Sequence, residues 1–264
     1  LMFEFHEAAR LWVFLSTFSL FALAEYFLPK RTARRLTQRR WITNISLGII
    51  DAFMVRLLLP GITIAAAVLA ENLKFGLFHW TTMPLWIVLP LSIMMFDWAI
   101  WLQHLITHKV HFLWRLHRVH HSDIDFDVTT GIRFHPLEIL LSLIYKAAFI
   151  LLLGLPAWIV FVCEVILNAM AVFSHANLRI IPGVERILRV LIVTPDMHRI
   201  HHSIQPHETD SNYGNFLSIW DRLFNTYRPK PVRGQQQIEI GLERSQNEKP
   251  TQLRWSLFNP FFRQ

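Results

Sequence analysis

Cysteine and charge are both scarce in this chain. Its 264 residues include one cysteine, Cys163, and only 17% of them are charged. A single cysteine excludes a framework of intrachain disulfides, and it excludes an iron–sulfur cluster or a zinc site built from several thiolates. Because Cys163 falls within an apolar stretch, we predict a small buried side chain without a chemical role.

Apolar residues, by contrast, make up 53% of the chain, and the mean hydropathy is +0.32. This composition excludes an ordinary soluble domain. Residues 11–29, 46–70 and 83–103 form runs that can each cross a bilayer as one helix, which requires about 20 residues. A fourth run, 139–173, is interrupted by Gly-Leu-Pro at 154–156, which predicts a helical hairpin of two short spans. The predicted fold class is all-α, a polytopic membrane protein with four or five transmembrane helices.

The basic segment 30–41 predicts the orientation of these helices. Acidic Glu4 and Glu7 precede the first apolar run, and no small-residue cleavage site follows it, so we predict a retained helix rather than a cleaved signal. The short basic segment after that helix is expected to stay in the cytoplasm. We assign the net charge of +7 to contacts of such segments with anionic lipid head groups rather than with nucleic acid.

A five-residue histidine pattern occurs twice, at His117–His121 and His198–His202, and reads His-Arg-Val/Ile-His-His. On a helix, residues three and four apart share a face, so each copy is predicted to aim three imidazoles at one point. His104 and His108 form a further pair, and His175 stands alone. One zinc ion normally takes three or four protein ligands, so this set suits two metal ions. The nine candidate ligands are His104, His108, His117, His120, His121, His175, His198, His201 and His202.

Alternation of the predicted spans places all of these histidines at one membrane face. From the cytoplasmic basic segment, two spans return the chain at His104, and the hairpin returns it at His175. We therefore predict a histidine-rich helical cap on the cytoplasmic side. His6 and His79 are predicted to lie on the opposite side of the membrane, outside the site.

Carboxylates are needed near such a centre, because nine neutral ligands leave the charge of two metal ions uncompensated. We favour Asp196 and Asp221 as second-shell groups. Asp97 is an intramembrane carboxylate on one helical stripe with His104, and it is predicted either to accept a hydrogen bond below the metal site or to pair with a neighbouring helix. The remaining histidines of this face, His111, His135 and His207, are weaker candidates, of which His135 is kept as a second-shell candidate.

From Asp97 to about Tyr227, the chain resembles the superfamily of fatty acid hydroxylases and sterol desaturases, which are integral-membrane di-iron oxygenases. One departure is Ala171, which stands where some fatty acid hydroxylases have a further histidine four residues before His175. The motifs that carry the resemblance are His104-x3-His108, Trp114-Arg-Leu-His-Arg-Val-His-His-Ser122, His135-Pro-Leu-Glu138, Ser174-His-Ala-Asn177, Pro195-Asp-Met-His-Arg-Ile-His-His-Ser203, Asn212-Tyr-Gly214 and Trp220-Asp-Arg-Leu-Phe224.

The resemblance implies an enzyme in which the nine histidines hold two iron ions. Dioxygen and two external electrons would then oxidise an unactivated C–H bond of a lipid to an alcohol or a double bond. The implied organisation is an N-terminal transmembrane part (1–103), a histidine-rich di-iron catalytic domain (104–228) that includes the membrane hairpin, and a polar C-terminal cytoplasmic segment (229–264). The compact length, without a fused cytochrome domain, favours a bacterial plasma membrane over an endoplasmic reticulum.

Electrons are expected from a separate partner, because the sequence has no dinucleotide fingerprint, flavin motif or iron–sulfur ligand set. A ferredoxin- or cytochrome-type carrier with its reductase would fit a basic cytoplasmic face. Two other functions are weighed against the oxygenase. A metal transporter would need ligands near the bilayer midplane, and a zinc-dependent membrane hydrolase would need a His-Glu-x-x-His site. The lipid, and the choice between hydroxylation and desaturation, stay open at this stage.

Overall fold

The computed structural model describes residues 2–32 and 37–262, with side chains from residue 8 onward. Arg34 and Arg35 of the basic segment and the side chain of His6 lie outside this part. The described chain is helical, and its extended segments form isolated bridges but no strands. Its α-helices are α1 (Met2–Phe27), α2 (Thr37–Leu58), α3 (Ile62–Leu73), α4 (Leu85–Lys109), α5 (His111–His121), α6 (Pro136–Leu153), α7 (Ala157–His175), α8 (Pro182–Leu191), α9 (Pro195–His201), α10 (Pro206–Thr209), α11 (Ile219–Leu223) and α12 (Leu253–Phe258).

Five stretches of the described chain are long and apolar enough to cross a membrane, which confirms the predicted fold class. They are Ala8–Phe27, Thr37–His79, Leu85–Lys109, Pro136–Leu153 and Ala157–His175. Their large apolar side chains point outward; Trp12 is 69% exposed and Trp86 is 75% exposed. Such exposure would be costly in water and suits contact with lipid hydrocarbon.

The second stretch consists of two helices, so the single helix predicted over residues 46–70 is wrong. The helix α2 ends at Leu58 and α3 begins at Ile62. Pro60 lacks the N–H that would continue α2, and Gly61 adopts a left-handed conformation (φ 63°) that suits glycine. Together the two helices carry the chain from one end of the bundle to the other, because Arg40 in α2 bonds Asp123, just after the histidines of α5, while Gly76, beyond α3, contacts Gly154 between α6 and α7.

The predicted break at residues 154–156 is confirmed, since α6 and α7 are joined there by Gly154 in a left-handed conformation (φ 69°). The helices α3 and α4 pack against both members of this hairpin. The main apolar core therefore joins side chains such as Ile64, Phe96, Ile150 and Ile159 from four helices. Cys163 is buried in the same core, as predicted from its apolar neighbours.

All segments that carry the nine candidate ligands lie at one end of the helix bundle, which we call the cap. The ends of α1 and α7 meet there, since the Lys30 nitrogen donates to the Asn177 oxygen and the Arg179 nitrogen donates to the Leu28 oxygen, both at 2.8 Å. The helix α4 ends in the cap, α2 and α6 begin there, and α5 and α9 lie within it. Five passages with one shared cap agree with the predicted alternation.

The basic segment contacts the cap itself, and its expected contact with lipid head groups stays a prediction. Lys30 Nζ lies 2.7 Å from Asp196 Oδ2. Arg40 is only 2% exposed, and its guanidinium lies 2.5 Å from an oxygen of Asp123 and 2.7 Å from an oxygen of Asp127. A buried guanidinium requires such anionic partners, because desolvation of an unpaired charge is expensive. These ion pairs attach α2 to the segment that follows α5.

The C-terminal segment also folds onto the cap. Arg118 donates to the backbone oxygen of Asn259, and Arg115 donates to the oxygen of Pro260 at 2.6 Å. Arg133, which is fully buried, donates to the Ser256 hydroxyl at 2.8 Å. These bonds satisfy cationic side chains beneath the surface, so the described residues after 229 form part of the cap.

Candidate metal centre

The structure brings all nine candidate ligands together in two buried groups, each with its ring nitrogens within 4.8 Å of one another. The five-histidine group consists of His104, His108, His117, His121 and His201. The four-histidine group consists of His120, His175, His198 and His202. Two separate clusters are the arrangement expected of a centre for two metal ions.

Each five-residue pattern is divided between the two groups, and the prediction that all three of its histidines converge on one point is wrong. In α5, His117 and His121 belong to the five-histidine group, whereas His120 belongs to the four-histidine group. In α9 the division is reversed, because His198 and His202 share a group and His201 lies in the other. Consecutive residues on a helix differ by about 100° in direction, so the adjacent histidines of each pattern diverge.

Backbone carbonyls define the tautomer of several of these rings. The Nδ1 atoms of His104 and His175 lie 2.7 Å from the oxygens of Tyr213 and Ala171, respectively. His201 Nδ1 lies 2.8 Å from the Ser211 oxygen. A carbonyl only accepts, so each Nδ1 carries the proton and leaves a lone pair on Nε2. His120 Nδ1 likewise lies 3.1 Å from the Arg133 oxygen, so its proton is also on Nδ1.

The rings then turn their lone pairs toward one another. The Nε2 atoms of His120 and His175 are 3.2 Å apart, and those of His104 and His117 are 3.1 Å apart. Burial lowers the pKa of His120 and His121 well below its usual range, and it lowers that of His201 to about 3. Neutral nitrogens that converge in this way repel each other unless a cation lies between them. The donor set therefore fits iron, copper or zinc, which neutral imidazole suits.

One carboxylate that was not among the predicted site residues, Glu138, contacts a candidate ligand closely. His117 Nδ1 donates to Glu138 Oε1 at 2.6 Å, at the first turn of α6. Such a carboxylate fixes the ring and raises its basicity as a ligand. The pattern His135-Pro-Leu-Glu138 could have indicated this contact in the sequence, because it places an acid in the first turn of α6, at the helix end that faces the cap. The half-exposed Asp210 lies 3.5 Å from His108 Nδ1.

The structure places two of the predicted second-shell acids in a loop network. Asp97 accepts from the backbone nitrogens of Phe216 and Leu217, at 3.2 and 2.9 Å, so it supports this loop. Asp221 accepts from the Tyr213 nitrogen at 2.9 Å, and the Tyr213 oxygen in turn accepts from His104. Burial raises the pKa of Asp221. Asp221 therefore positions the Tyr213 carbonyl that bonds His104, and it does not bond a candidate ligand itself.

The other two second-shell candidates also bond elsewhere within the described residues. Asp196 pairs with Lys30 and, at 2.6 Å, with Arg199. His135 accepts from the Leu137 nitrogen and donates to the Leu257 oxygen, so it caps α6. The remaining histidines lie outside both groups: His111 and His207 are exposed, and His79 lies beside Glu71 at the far end of the bundle.

A cavity of about 200 Å³ extends from the histidines between α4, α6 and α7. It is lined at the cap end by His104, His117, His120, His175 and His198. Phe134 stacks on the His120 ring with centroids 4.4 Å apart. The candidate metal centre thus opens toward the membrane-spanning helices, where an apolar substrate would be found.

The helices that could span a membrane, with the two histidine groups at one end of them, place the chain in the class of polytopic membrane proteins with a polyhistidine centre that could hold metal. The model of the fatty acid hydroxylase family matches residues 89–226, more than half of the chain. The chain belongs to the fatty acid hydroxylase family. This match confirms the resemblance found in the sequence, and it covers every candidate ligand.

Curated relatives agree with this family. The chain is 28% identical to alkylglycerol monooxygenase of Danio rerio over 72% of this chain and 41% of that protein. It is 27% identical to the ornithine lipid hydroxylase OlsE of Rhizobium tropici, over 83% of this chain and 67% of that protein. It is 25% identical to alkylglycerol monooxygenase of Homo sapiens, over 81% of this chain and 46% of that protein. The chain thus spans between 41% and 67% of the length of these relatives. No solved structure matches it.

Proposed function

We propose that the chain is an oxygen-dependent membrane oxidoreductase that hydroxylates a lipid at an unactivated C–H bond, with two iron ions held by the nine histidines. The observation that carries the proposal is the pair of buried histidine groups at the end of a cavity between membrane helices. The names of the relatives, a monooxygenase and a lipid hydroxylase, favour hydroxylation over desaturation. Iron bound here would supply the oxidising power, from dioxygen and two electrons.

The protein's own side chains would hold the iron ions and keep water away from the reacting carbon. Glu138 holds the proton of His117 Nδ1 and so keeps Nε2 available as a ligand. Phe134 covers one face of His120, and Phe126 packs against His175 with ring centroids 5.5 Å apart. An apolar wall of this kind excludes water, which prevents loss of oxidant to side reactions.

Electrons would come from a ferredoxin- or cytochrome-type carrier with its reductase. Arg118 and Arg199, which belong to the histidine patterns, are buried in the structure and cannot dock a partner. Arg244 is exposed and lines a surface pocket that reaches His108. Arg244→Gln should weaken the salt dependence of carrier-coupled turnover, whereas an unchanged salt dependence would place the docking surface elsewhere.

The cap is proposed to lie in the cytoplasm, and a bacterial plasma membrane is favoured. Lys30, Arg31, Arg39 and Arg40 all lie at the cap end, in agreement with the preference of basic loops for the cytoplasmic side. One of the relatives is bacterial. The alternatives receive no support, because the histidines gather at one end of the bundle instead of its middle, as a transporter would require, and no His-Glu-x-x-His site is present in the sequence.

The deciding experiment is metal analysis of the full chain, purified from iron-supplemented cells, with Mössbauer spectroscopy of an iron-57 sample. We expect close to two irons per chain and the signal of a coupled pair. Zinc alone, or the absence of stoichiometric metal, would overturn the proposal. The His79→Ala variant serves as a control because His79 lies at the far end of the bundle, and it should retain the full iron content.

A further inference from the structure

The cavity continues past the histidines into the membrane-spanning part, where its lining becomes polar. Gln103 on α4, Ser142 and Lys146 on α6, and Asn168 on α7 all line it. Ionisable and amide side chains are expensive at this depth and normally mark a substrate path. Three such side chains on three helices, with the Ser142 hydroxyl beside them, require an explanation beyond the binding of metal.

These side chains lie at a definite distance from the candidate metal centre. Asn168 precedes His175 by seven residues on α7, which is about 10 Å along the helix. Lys146 follows Glu138, the partner of His117, by eight residues on α6, or about 12 Å. Lys146 and Asn168 therefore form a second level of the cavity, roughly 10–12 Å closer to the middle of the membrane. Gln103, which directly precedes His104 on α4, and Ser142, which donates to it, lie nearer to the histidines.

The hydrogen-bond donors of this level lack protein acceptors among the described residues. Nearer to the histidines, the Gln103 oxygen accepts from Ser142 at 3.3 Å, so the amide nitrogen of Gln103 is also left for a ligand. The Lys146 ammonium and the Asn168 amide have no hydrogen-bond partner in residues 8–32 and 37–262. The nearby carboxylate of Glu164 lies 3.0 Å from Arg10. Donors without acceptors in a low-dielectric cavity indicate a ligand that brings oxygen acceptors.

The orientation of a lipid in the bilayer indicates which of its parts reaches each level. A lipid of the leaflet next to the cap has its head group toward the cap and its chains toward the midplane. If it slides between α4, α6 and α7 without turning over, its head group arrives at the histidines. The oxygen atoms that link the head group to the chains then arrive at the level of Lys146 and Asn168.

We propose that this second level binds the ester, amide, ether or phosphate oxygens of a polar lipid, so that oxidation falls on the head-group side of that linkage and not in the hydrocarbon chain. This inference rests on the proposed function, because it takes the histidines as the reaction centre. The proposal restricts the possible substrates to lipids whose head group is long enough to reach from the second level to the metal ions.

Photo-crosslinking of the iron-loaded full chain in nanodiscs tests the proposal. One probe is a phosphatidylethanolamine with a diazirine on its head-group amine, and the other carries the diazirine at the end of an acyl chain. Mass spectrometry locates the labelled residues. We expect the head-group probe to label the cap end of the cavity, near Phe134 and Ile139, and the chain-end probe to label residues close to the α6–α7 turn.

Variants of Lys146 link the labelling to the second level. Lys146→Met should reduce cap-end labelling by the head-group probe about tenfold, because a hydrogen bond to a charged group is lost, and Lys146→Arg should restore it. The control is Lys74→Met, since Lys74 is exposed at the far end of the bundle. Unfolding midpoints of the variants show that labelling is compared between equally folded proteins, and Asn168→Leu replaces Lys146→Met if the latter fails to fold.

Three results would overturn the proposal. The first is cap-end labelling by the chain-end probe, which would mean that the chain is oxidised while leaving the proposed function intact. The second is labelling that Lys146→Met does not change, as expected if cavity water alone solvates the ammonium. The third is the absence of cavity labelling by both probes. Iron content, measured on the same samples, shows separately whether the di-iron proposal has failed.

Discussion

The two histidine groups differ in what surrounds them. In the five-histidine group, His117 donates to the carboxylate of Glu138 at 2.6 Å and His108 lies 3.5 Å from Asp210. In the four-histidine group, the ring partners of His120 and His175 are backbone carbonyls of Arg133 and Ala171. Three of the four members of this group line the cavity, but only two of the five members of the other group do so.

This difference indicates that two metal ions in this centre would have separate roles. Five nitrogen donors and nearby negative charge favour a tightly held ion with few open positions. A group of four neutral donors beside the cavity leaves room for a substrate or dioxygen, as open positions do in catalytic metal sites generally. We infer that the four-histidine group faces the substrate and that the five-histidine group supports it.

Removal of one ligand from each group should have the largest effect. His120→Ala and His201→Ala are each expected to abolish turnover and to lower the iron content, because each opens one chelate. Iron per chain and the Mössbauer spectrum of each variant would show whether the ion of its own group is lost first. Full iron content with full activity in either variant would remove that residue from the ligand set.

Loosening the segment over the four-histidine group should affect that group alone. Arg40 pairs with Asp123 and Asp127 in the segment that contains Phe126 and leads to Arg133. Arg40→Met should cost about 3–5 kcal/mol of stability, because it leaves buried carboxylates unpaired. Denaturant unfolding in detergent measures this loss, and chelator-release kinetics should show one ion leaving faster.

The neighbouring Arg39 offers a matched control for that variant. It is 67% exposed, and its one ion pair among the described residues is with Glu248, at 3.3 Å, which is also exposed. Arg39→Met should change stability by no more than about 1 kcal/mol. Equal losses in the two variants would mean that the buried ion pairs do not support the cap.

The charge of Glu138, the carboxylate that bonds His117 of the five-histidine group, can be removed by a substitution that keeps the shape of the side chain. Glu138→Gln should lower iron affinity or activity about 10- to 100-fold, the usual range for an outer-shell partner. Competition with a chelator measures the affinity, and only the ion of the five-histidine group should weaken. The exposed Glu71, far from the cap, provides the control variant Glu71→Gln, and equal iron affinity in both variants would contradict a role for Glu138.

The smallest expected effect concerns Asp210, which is half-exposed and 3.5 Å from His108. Solvent screens an interaction of this kind, so Asp210→Asn should change the iron affinity by no more than about fivefold. A chelator titration of the variant beside Glu138→Gln ranks the two carboxylates. A larger loss in Asp210→Asn would reverse the assignment of the main charge partner.

Much of the fold was predictable because helices in a membrane are local structures. A run of apolar residues satisfies its backbone within itself, so its length alone indicates a span, and the Gly-Leu-Pro break before α7 was visible for the same reason. The interruption at Pro60 and Gly61 carried an equally local signal, which the apolar character of the surrounding run obscured. The histidine pairs four residues apart were readable because they lie on single helices.

The sequence by itself therefore determined the apolar spans, four or five in number, and the residues that would serve as candidate ligands. Only the tertiary structure decided which histidine joins which group, and that Glu138 rather than Asp97, Asp196 or Asp221 bonds one of them. It also decided that Arg40 pairs within the cap. Each of these contacts joins side chains from different segments of the chain, such as Arg40 and Asp123, which are 83 residues apart, and no local periodicity specifies how separate helices pack.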